Sequence, residues 1–270
     1  MLRILALFFL SNSFLPFATC HNNESSTIVS ARIVGGTPIP ISEVPFMLSL
    51  HAKCSGVVCG AVILSKTLAV SALHCVHGSD PTEFMVRAGS HRTNYGGTVH
   101  KVTKFMIYND TMISEDFGLY KHDIVLLEVK PPFKFSKEVR PVKLPNPRMT
   151  KTPAFLYVSG WGATDYQNLE SSSKLLTVGV PFVPYENCTE AHELYKNHVD
   201  KDLHYCFGMD QKDSCAGDSG GPLSDKRTLY GIVSFGHKCG KYPGIYMKVS
   251  PYYKWINKFV RKRSKSPNNI

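Results

Sequence analysis

The stretch "DSCAGDSGGPL", from Asp213 to Leu223, decides how the rest of this chain is interpreted. Gly217 to Gly221 matches the G-x-S-x-G pattern of a nucleophilic serine, which in α/β-hydrolases lies on a strand, turn and helix with its acid and histidine partners downstream. Mostly strand-like sequence and one terminal helix follow Ser219, so that arrangement is disfavoured. The partners of the serine are expected upstream.

Two upstream residues have the required chemistry. His74 lies in "SALHC" at the end of an apolar segment, and Asp123 precedes the apolar run in "KHDIVLLEV". Taken singly, a histidine is more often structural and an acid before a strand is more often a turn residue. The order histidine, aspartate, serine in one β-rich chain favours a nucleophile, its base and the acid that orients the base.

Length and composition indicate a globular chain that forms one large domain or two packed halves. The formal net charge of +10 would attract acidic partners, but no nucleic-acid motif accompanies it. The densest basic cluster lies in residues 261–270, which we interpret as a solvated helix end and basic tail with weak polyanion binding. No nucleic-acid or membrane partner is predicted.

The N-terminus has a secretory pattern. Its apolar run is too short and too interrupted to span a membrane, so we predict a signal peptide over residues 1–20, followed by a short polar piece over residues 21–32; a retained anchor is the alternative. The eight cysteines lack C-x-x-C metal spacing and indicate disulfides in an oxidising, extracellular compartment. Glycosylation sequons occur at Asn23, Asn109 and Asn187.

Short apolar or β-branched segments separated by turn residues predict an all-β barrel or sandwich protein. The clearest segments are Thr98 to Ile107, Ile124 to Val129, Phe155 to Val158, Leu175 to Val180, Tyr230 to Ser234 and Ile245 to Val249. Helices are predicted over Tyr185 to Tyr195 and after Ser250, with Ser250 as N-cap and Pro251 in the first turn. The proline-rich stretch Arg140 to Pro153 is the candidate crossing between two halves.

From Ile33 to about Val260 the chain resembles the trypsin-like, chymotrypsin-fold serine proteases. The motifs that carry the resemblance occur in the family's order: "RIVGG" from Arg32, "SALHC", "DIVLL", "GDSGGP", and "SFG" from Ser234 with "PGIY" from Pro243. The resemblance implies a protease domain over residues 33–260, built of two six-stranded antiparallel β-barrels around a cleft and a C-terminal α-helix.

The resemblance implies a mechanism in which a covalent acyl-enzyme forms. Ser219 would be the nucleophile, His74 its general base and Asp123 the acid that holds the ring of His74, with Ser234 hydrogen-bonded to that acid. The backbone N–H groups of Gly217 and Ser219 would form the oxyanion hole.

Activation and substrate choice are also implied by the resemblance. Residues 21–32 would be an activation propeptide. Cleavage after Arg32, by a trypsin-like protease or by the enzyme itself, would free the Ile33 amine to pair with Asp218. The substrate pocket would hold Asp213 at its base, which favours arginine or lysine before the cleaved bond through charge-assisted hydrogen bonds. Its other members would be Ser214, Ser234, Phe235, Gly236 and Gly244. Protein or peptide substrates and serine protease inhibitors are the implied partners.

The resemblance pairs Cys59 with Cys75, Cys188 with Cys206, and Cys215 with Cys239. Cys20 and Cys54 have no assigned partner: cleavage after Cys20 would leave Cys54 to another chain, and retention of Cys20 would let it tether the propeptide.

The chain departs from the family pattern at four places. Leu73 replaces the usual alanine, Phe235 replaces the usual tryptophan, and "GKY" between Cys239 and Pro243 is short, so we expect altered subsites and retained catalysis. The loop Ser90 to Gly97 lacks the acids that bind calcium in digestive trypsins, so neither a metal nor a cofactor is predicted. A catalytically silent homologue that acts as a binding module is the alternative function.

Overall fold

The computed structural model describes residues 33–148, 151–163, 167 and 170–264, with side chains described to Arg261. The predicted signal peptide, the whole predicted propeptide including Arg32, and most of the basic tail lie outside these residues. The strands are β1 (Thr37–Pro38), β2 (Met47–Ala52), β3 (Gly56–Ser65), β4 (Leu68–Ser71), β5 (Phe84–Ala88), β6 (Thr98–Ile107), β7 (Met112–Ser114), β8 (Leu119–Tyr120), β9 (Val125–Lys130), β10 (Phe155–Gly160), β11 (Leu176–Val183), β12 (His204–Phe207), β13 (Pro222–Ser224), β14 (Leu229–Phe235) and β15 (Gly244–Lys248). The α-helices are α1 (Tyr185–Ala191), α2 (Glu193–His198) and α3 (Tyr253–Ser264).

The strands close into two six-stranded antiparallel barrels, which confirms the predicted architecture. The first barrel has the order β2-β3-β4-β9-β6-β5. In the second, β11-β10-β13-β14-β15-β12 closes through the β11–β12 pairing, and β1 adds to the edge at β11. Strands β7 and β8 form a separate hairpin.

Each barrel has its own apolar interior because its strands alternate inward and outward side chains. In β5, for example, Phe84, Val86 and Ala88 are buried while the residues between them are partly exposed. The second barrel buries Ile33, the first described residue, which is 0% exposed among side chains such as Leu156 and Tyr246. The described start of the chain is therefore anchored inside the second barrel.

The segment between β9 and β10 joins the barrels and contacts both. The Val142 N–H donates to the Ile63 carbonyl of β3, and the Lys143 N–H donates to the Arg227 carbonyl beside β14. These bonds hold the two barrels side by side, so residues at their facing ends lie in one cleft.

Two details of the helix predictions are wrong. The segment from Tyr185 forms two helices, because His192 takes an extended backbone and its ring Nδ1 accepts a hydrogen bond from the Leu194 N–H, which caps α2. Ser250 does not cap α3, because residues 250–252 form a 3₁₀ turn that begins after Val249 and leads into the helix. The apolar side chains of α3, including Trp255 and Ile256, pack on a core cluster that contains residues of both barrels.

Candidate active site

The facing ends of the barrels bring a histidine and an aspartate together. His74 lies in the 3₁₀ turn Leu73–Cys75 after β4, and Asp123 lies just before β9. The His74 Nδ1 lies 2.8 Å from Asp123 Oδ2, and the His74 backbone N–H donates to Asp123 Oδ1 at 2.9 Å. Ser234, near the end of β14, donates its hydroxyl to Asp123 Oδ2 at 2.5 Å. Three donors thus fix the carboxylate and orient the imidazole.

The electrostatics of this pair favour a charged state. Burial opposes ionisation of Asp123, but the His74 charge and the hydrogen bonds from His74 and Ser234 outweigh it and lower the Asp123 pKa. Burial also disfavours the His74 imidazolium, yet the Asp123 charge and hydrogen bond prevail and raise the His74 pKa. The aspartate therefore stabilises a proton on the histidine without taking it up itself.

Ser219 approaches the His74 segment from the second barrel. Its carbonyl accepts a hydrogen bond from the Gly60 N–H at 2.8 Å, and Cys59 beside Gly60 is bonded to Cys75. Gly220 has φ +73°, and a Cβ there would lie 2.6 Å from the Gly60 carbonyl oxygen, so only glycine permits this approach. Among the described residues, no hydrogen bond joins the Ser219 hydroxyl to His74.

The amides around Ser219 fall into two groups. The N–H groups of Asp218, Gly220 and Gly221 donate to carbonyls inside the protein. No acceptor within the described part of the chain takes the N–H groups of Gly217 and Ser219. Gly217 has φ +91°, a conformation that favours glycine. The expected oxyanion donors are thus the two amides that the fold leaves uncommitted.

A cavity of about 530 Å³ opens beside Ser219. The residues that line it include every predicted pocket member: Asp213, Ser214, Ser234, Phe235, Gly236 and Gly244. Gly244 forms a wall where a Cβ would lie 3.1 Å from Ser214 Oγ and closer still to the Asp213 carboxylate. A glycine here keeps the cavity open down to that carboxylate.

Asp213 is 1% exposed. It accepts hydrogen bonds from the N–H groups of Ser214 (2.7 Å) and Gly240 (3.3 Å) and from the Tyr246 hydroxyl (3.3 Å). Burial nevertheless raises its pKa to about 8, because these donors offset the loss of water only in part. The cavity therefore ends in a carboxylate that a cationic side chain would stabilise.

Asp218, which precedes Ser219 in the chain, is completely buried. Its carboxylate accepts hydrogen bonds from the N–H groups of Gly162 (2.8 Å) and Cys215 (3.0 Å), and burial raises its pKa to about 7. Within the described residues it forms no ion pair. A buried carboxylate with this pKa favours an added positive charge.

The three disulfides of the structure are the pairs that the resemblance implies: Cys59–Cys75, Cys188–Cys206 and Cys215–Cys239. The first braces the turn of His74, and the last braces the wall of the cavity. Cys54 lies exposed in the turn between β2 and β3. Its relation to Cys20 stays a prediction, because Cys20 lies outside the described residues.

Sequence reasoning missed several residues of the site. The Tyr246 hydroxyl contacts both Asp213 and Ser214, although the sequence marks Tyr246 only as the last residue of the motif "PGIY". Tyr195 donates its hydroxyl to the Pro243 carbonyl and accepts the His237 N–H. No local pattern marks these contacts, because the partners lie far apart in the sequence.

The fold and the site define the chymotrypsin-like class, with two six-stranded barrels and a histidine, an aspartate and a serine at their junction. The Trypsin family model matches residues 33–256, so the chain belongs to the trypsin family of serine proteases. No helix within the described residues is long and apolar enough to cross a membrane.

Curated relatives agree with this family. The chain is 38% identical to trypsin 5G1 of Aedes aegypti over 234 residues, covering 84% of each chain. It is 35% identical to a trypsin of Phaedon cochleariae over 247 residues, covering 87% of this chain and 90% of the relative. The crystal structure of scabies mite inactivated protease paralogue S-D1 has the same fold, with a TM-score of 0.77, 23% identity, and coverage of 85% of this chain and 97% of that one.

Proposed function

We propose that this chain is a secreted, zymogen-activated serine endopeptidase that hydrolyses peptide bonds after arginine or lysine. One observation carries the proposal. Ser219 and Ser234 line the cavity that ends in the buried carboxylate of Asp213. The Ser234 hydroxyl bonds the Asp123 carboxylate that pairs with His74, and the N–H groups of Gly217 and Ser219 have no acceptor among the described residues.

The chemistry follows from these positions. The Ser219 Oγ attacks the carbonyl carbon of the substrate while His74 Nε2 accepts the hydroxyl proton. Asp123 stabilises the imidazolium, and the Gly217 and Ser219 N–H groups donate to the oxyanion. The imidazolium then protonates the leaving amine, the acyl-enzyme forms, and a water activated by His74 releases the acid and regenerates Ser219. Each oxyanion donor typically contributes about 3 kcal/mol to the transition state.

The cavity accounts for the choice of substrate. A cationic side chain that reaches Asp213 replaces the water that burial has removed and keeps the carboxylate ionised. The hydroxyls of Ser214 and Tyr246 lie within 3.4 Å of Asp213 Oδ1 and offer further polar contacts to an ammonium or guanidinium group.

Activation would use the buried Asp218. Cleavage after Arg32 by a trypsin-like protease, or by the enzyme itself, creates an amine on Ile33, whose side chain is already packed in the second barrel. Pairing of this amine with Asp218 would neutralise an otherwise unpaired buried charge and hold the loop of Gly217 and Ser219 in place.

The sequence and family membership support the proposals on secretion, glycosylation and partners. We expect protein or peptide substrates, inhibitors directed at the serine, and weak polyanion binding by residues 261–270. Two sequons, Asn109 and Asn187, lie at exposed positions. Salt-sensitive retention on heparin that disappears on removal of residues 261–270 would support the tail's role.

The test is hydrolysis by the chain after cleavage at Arg32. An immobilised protease performs the cleavage and is removed, and peptides that differ only in Arg, Lys, Leu or Glu before the scissile bond are then added. We expect turnover of the Arg and Lys peptides alone. The Ser219→Ala variant, taken through the same steps, controls for carried-over protease; equal hydrolysis by this variant, or none by the wild type, contradicts the proposal and favours the silent homologue.

A further inference from the structure

Two histidines stack beside the cavity that ends in Asp213, and one of them, His237, lines it. The rings of His192, which precedes α2, and His237, which follows β14, have centroids 4.2 Å apart and planes inclined by 24°. The Tyr242 ring packs against both, with centroid distances of 5.1 Å to His192 and 5.6 Å to His237. Side chains from separate elements thus build one surface.

This surface adjoins the site where the chemistry is proposed. His237 and Lys238 line the same cavity as Asp213 and Ser219. The backbone of His237 is held in place, because its N–H donates to the Tyr195 hydroxyl at 2.8 Å and that hydroxyl donates to the Pro243 carbonyl at 2.7 Å. Tyr195 is itself 0% exposed, so the backbone of His237 has a rigid support.

The charges around the histidines are predominantly positive. Lys238 and Lys241 are exposed beside them, and the Lys241 Nζ lies 5.6 Å from the Tyr242 ring centroid. Burial and the positive neighbours His192, Lys238 and Lys241 lower the pKa of His237. Two carboxylates have to be considered beside these positive groups. Asp213 lies at the base of the same cavity, and the exposed Glu193 follows His192 in the chain. In the described structure neither carboxylate forms an ion pair with these histidines or lysines.

We infer that the histidine rim, defined as His192, His237, Lys238, Lys241 and Tyr242, binds an acidic side chain of the substrate within the three residues before the cleaved bond. The inference deepens the proposed function and rests on it.

The geometry gives the reason. The run Phe235 to Lys238 lines one wall of the cavity that holds Asp213 and Ser219, so substrate residues that follow this wall reach the rim. A carboxylate there meets two lysines and an imidazole that form no ion pair within the described part of the chain, and it offsets their mutual repulsion. Because the His237 imidazole binds a proton as the pH falls, and burial and its positive neighbours lower its pKa, the preference for an acid strengthens toward the acidic end of the range between pH 8 and pH 5.5.

The experiment measures binding, so it does not depend on catalysis. The Ser219→Ala chain, cleaved after Arg32, is titrated with peptides that end in arginine and carry Asp or Asn at each of the three preceding positions. We expect the Asp peptide to bind about threefold to fivefold more tightly than its Asn counterpart at one position, with a larger ratio at pH 5.5 than at pH 8. Titration of Asp213 affects both peptides equally and cancels in the ratio.

Variants assign the effect to the rim. His237→Gln and Lys238→Gln should bring the ratio close to one, and Lys254→Gln on α3 should change nothing. A ratio of one at both pH values, a ratio unaltered by His237→Gln, or no binding of either peptide overturns the inference. If the Asp peptide binds more tightly but the wild type hydrolyses no peptide, the proposed function alone is contradicted. If the wild type hydrolyses the arginine peptides but the Asp and Asn peptides bind equally, the histidine rim alone is contradicted.

Discussion

Three aspartates are similarly buried but differ in their partners and in the direction of their pKa shifts. Asp123, Asp213 and Asp218 are each at most 3% exposed. Asp123 has a histidine partner, which lowers its pKa, whereas burial raises the pKa of Asp213 to about 8 and of Asp218 to about 7. The partnered acid is suited to hold a permanent charge, and the other two are suited to receive a cation from a substrate or from a new chain terminus.

Replacing Asp213 tests the assignment of the pocket. In the activated Asp213→Ser variant we expect kcat/KM for an arginine substrate to fall about a thousandfold or more, because the cation loses its charged acceptor. Because a raised carboxylate pKa means that the ionised form appears only as the pH rises toward 8, wild-type affinity for arginine should increase over that range. Steady-state kinetics between pH 6 and pH 9 measure both effects.

The exposed Asp210→Asn variant is the matched control for the pocket and should retain wild-type kinetics. Persistent cleavage after basic residues by Asp213→Ser would show that the pocket is assigned wrongly.

His204 predicts sensitivity to acid. It is 4% exposed, its Nδ1 accepts the Asp200 N–H at 2.9 Å, and burial lowers its pKa to about 4. Its folded pKa lies below the unfolded value of about 6.5, so its contribution to stability is complete above pH 6.5 and is lost as the pH falls toward 4. The loss amounts to about 3 kcal/mol in the free energy of unfolding.

The variant His204→Asn keeps an acceptor near Nδ1 and cannot take up the proton. Urea unfolding in the Ser219→Ala background at pH 7 and pH 4.5 should therefore show a smaller acid-induced loss for the variant than for its parent. The exposed His91→Asn is the control. Equal losses in all three proteins would mean that His204 is not the acid-sensitive group.

At the scale of elements, the side chain of Arg87 holds the loop Ser90 to Gly97 in place. The Arg87 guanidinium of β5 donates to the carbonyls of Thr93 (2.8 Å), Gly96 (2.7 Å) and Asn94 (3.4 Å). Sequence reasoning noted the missing acids of this loop and missed Arg87, because its three acceptors are backbone atoms that any residue supplies. The planar fork of arginine suits several acceptors at once.

Arg87 should therefore matter to stability. We expect Arg87→Gln to lower the free energy of unfolding by about 2 kcal/mol, since hydrogen bonds from a charged donor are lost. Chelator should leave the wild type unchanged in thermal unfolding. Lys101→Gln, at an exposed position of β6, serves as the neutral control. Destabilisation of the wild type by chelator would contradict our account of this loop.

At the scale of the whole molecule, the site exists only because two closed barrels meet. The strands were predictable where β-branched and apolar residues run between turn residues, as in Thr98–Ile107, which the structure reproduces residue for residue. The helix break at His192 was not, because a side-chain cap competes there with a continuous helical pattern. Likewise the residues of the cleft were accessible through motifs, whereas the histidine rim depends on contacts between His192 and His237 that no local pattern encodes.

The most direct test of the account is covalent labelling of Ser219 before and after cleavage at Arg32. A serine-directed fluorophosphonate is added to the uncut chain, the cut chain and the cut Asp218→Asn variant, and the labelled residue and its stoichiometry are read by mass spectrometry. We predict about one label per cut wild-type chain, on Ser219, with little on the uncut chain or the variant, since both lack the amine–carboxylate pair that orders the oxyanion amides. A folded, cut chain that leaves Ser219 unlabelled would contradict the central claim.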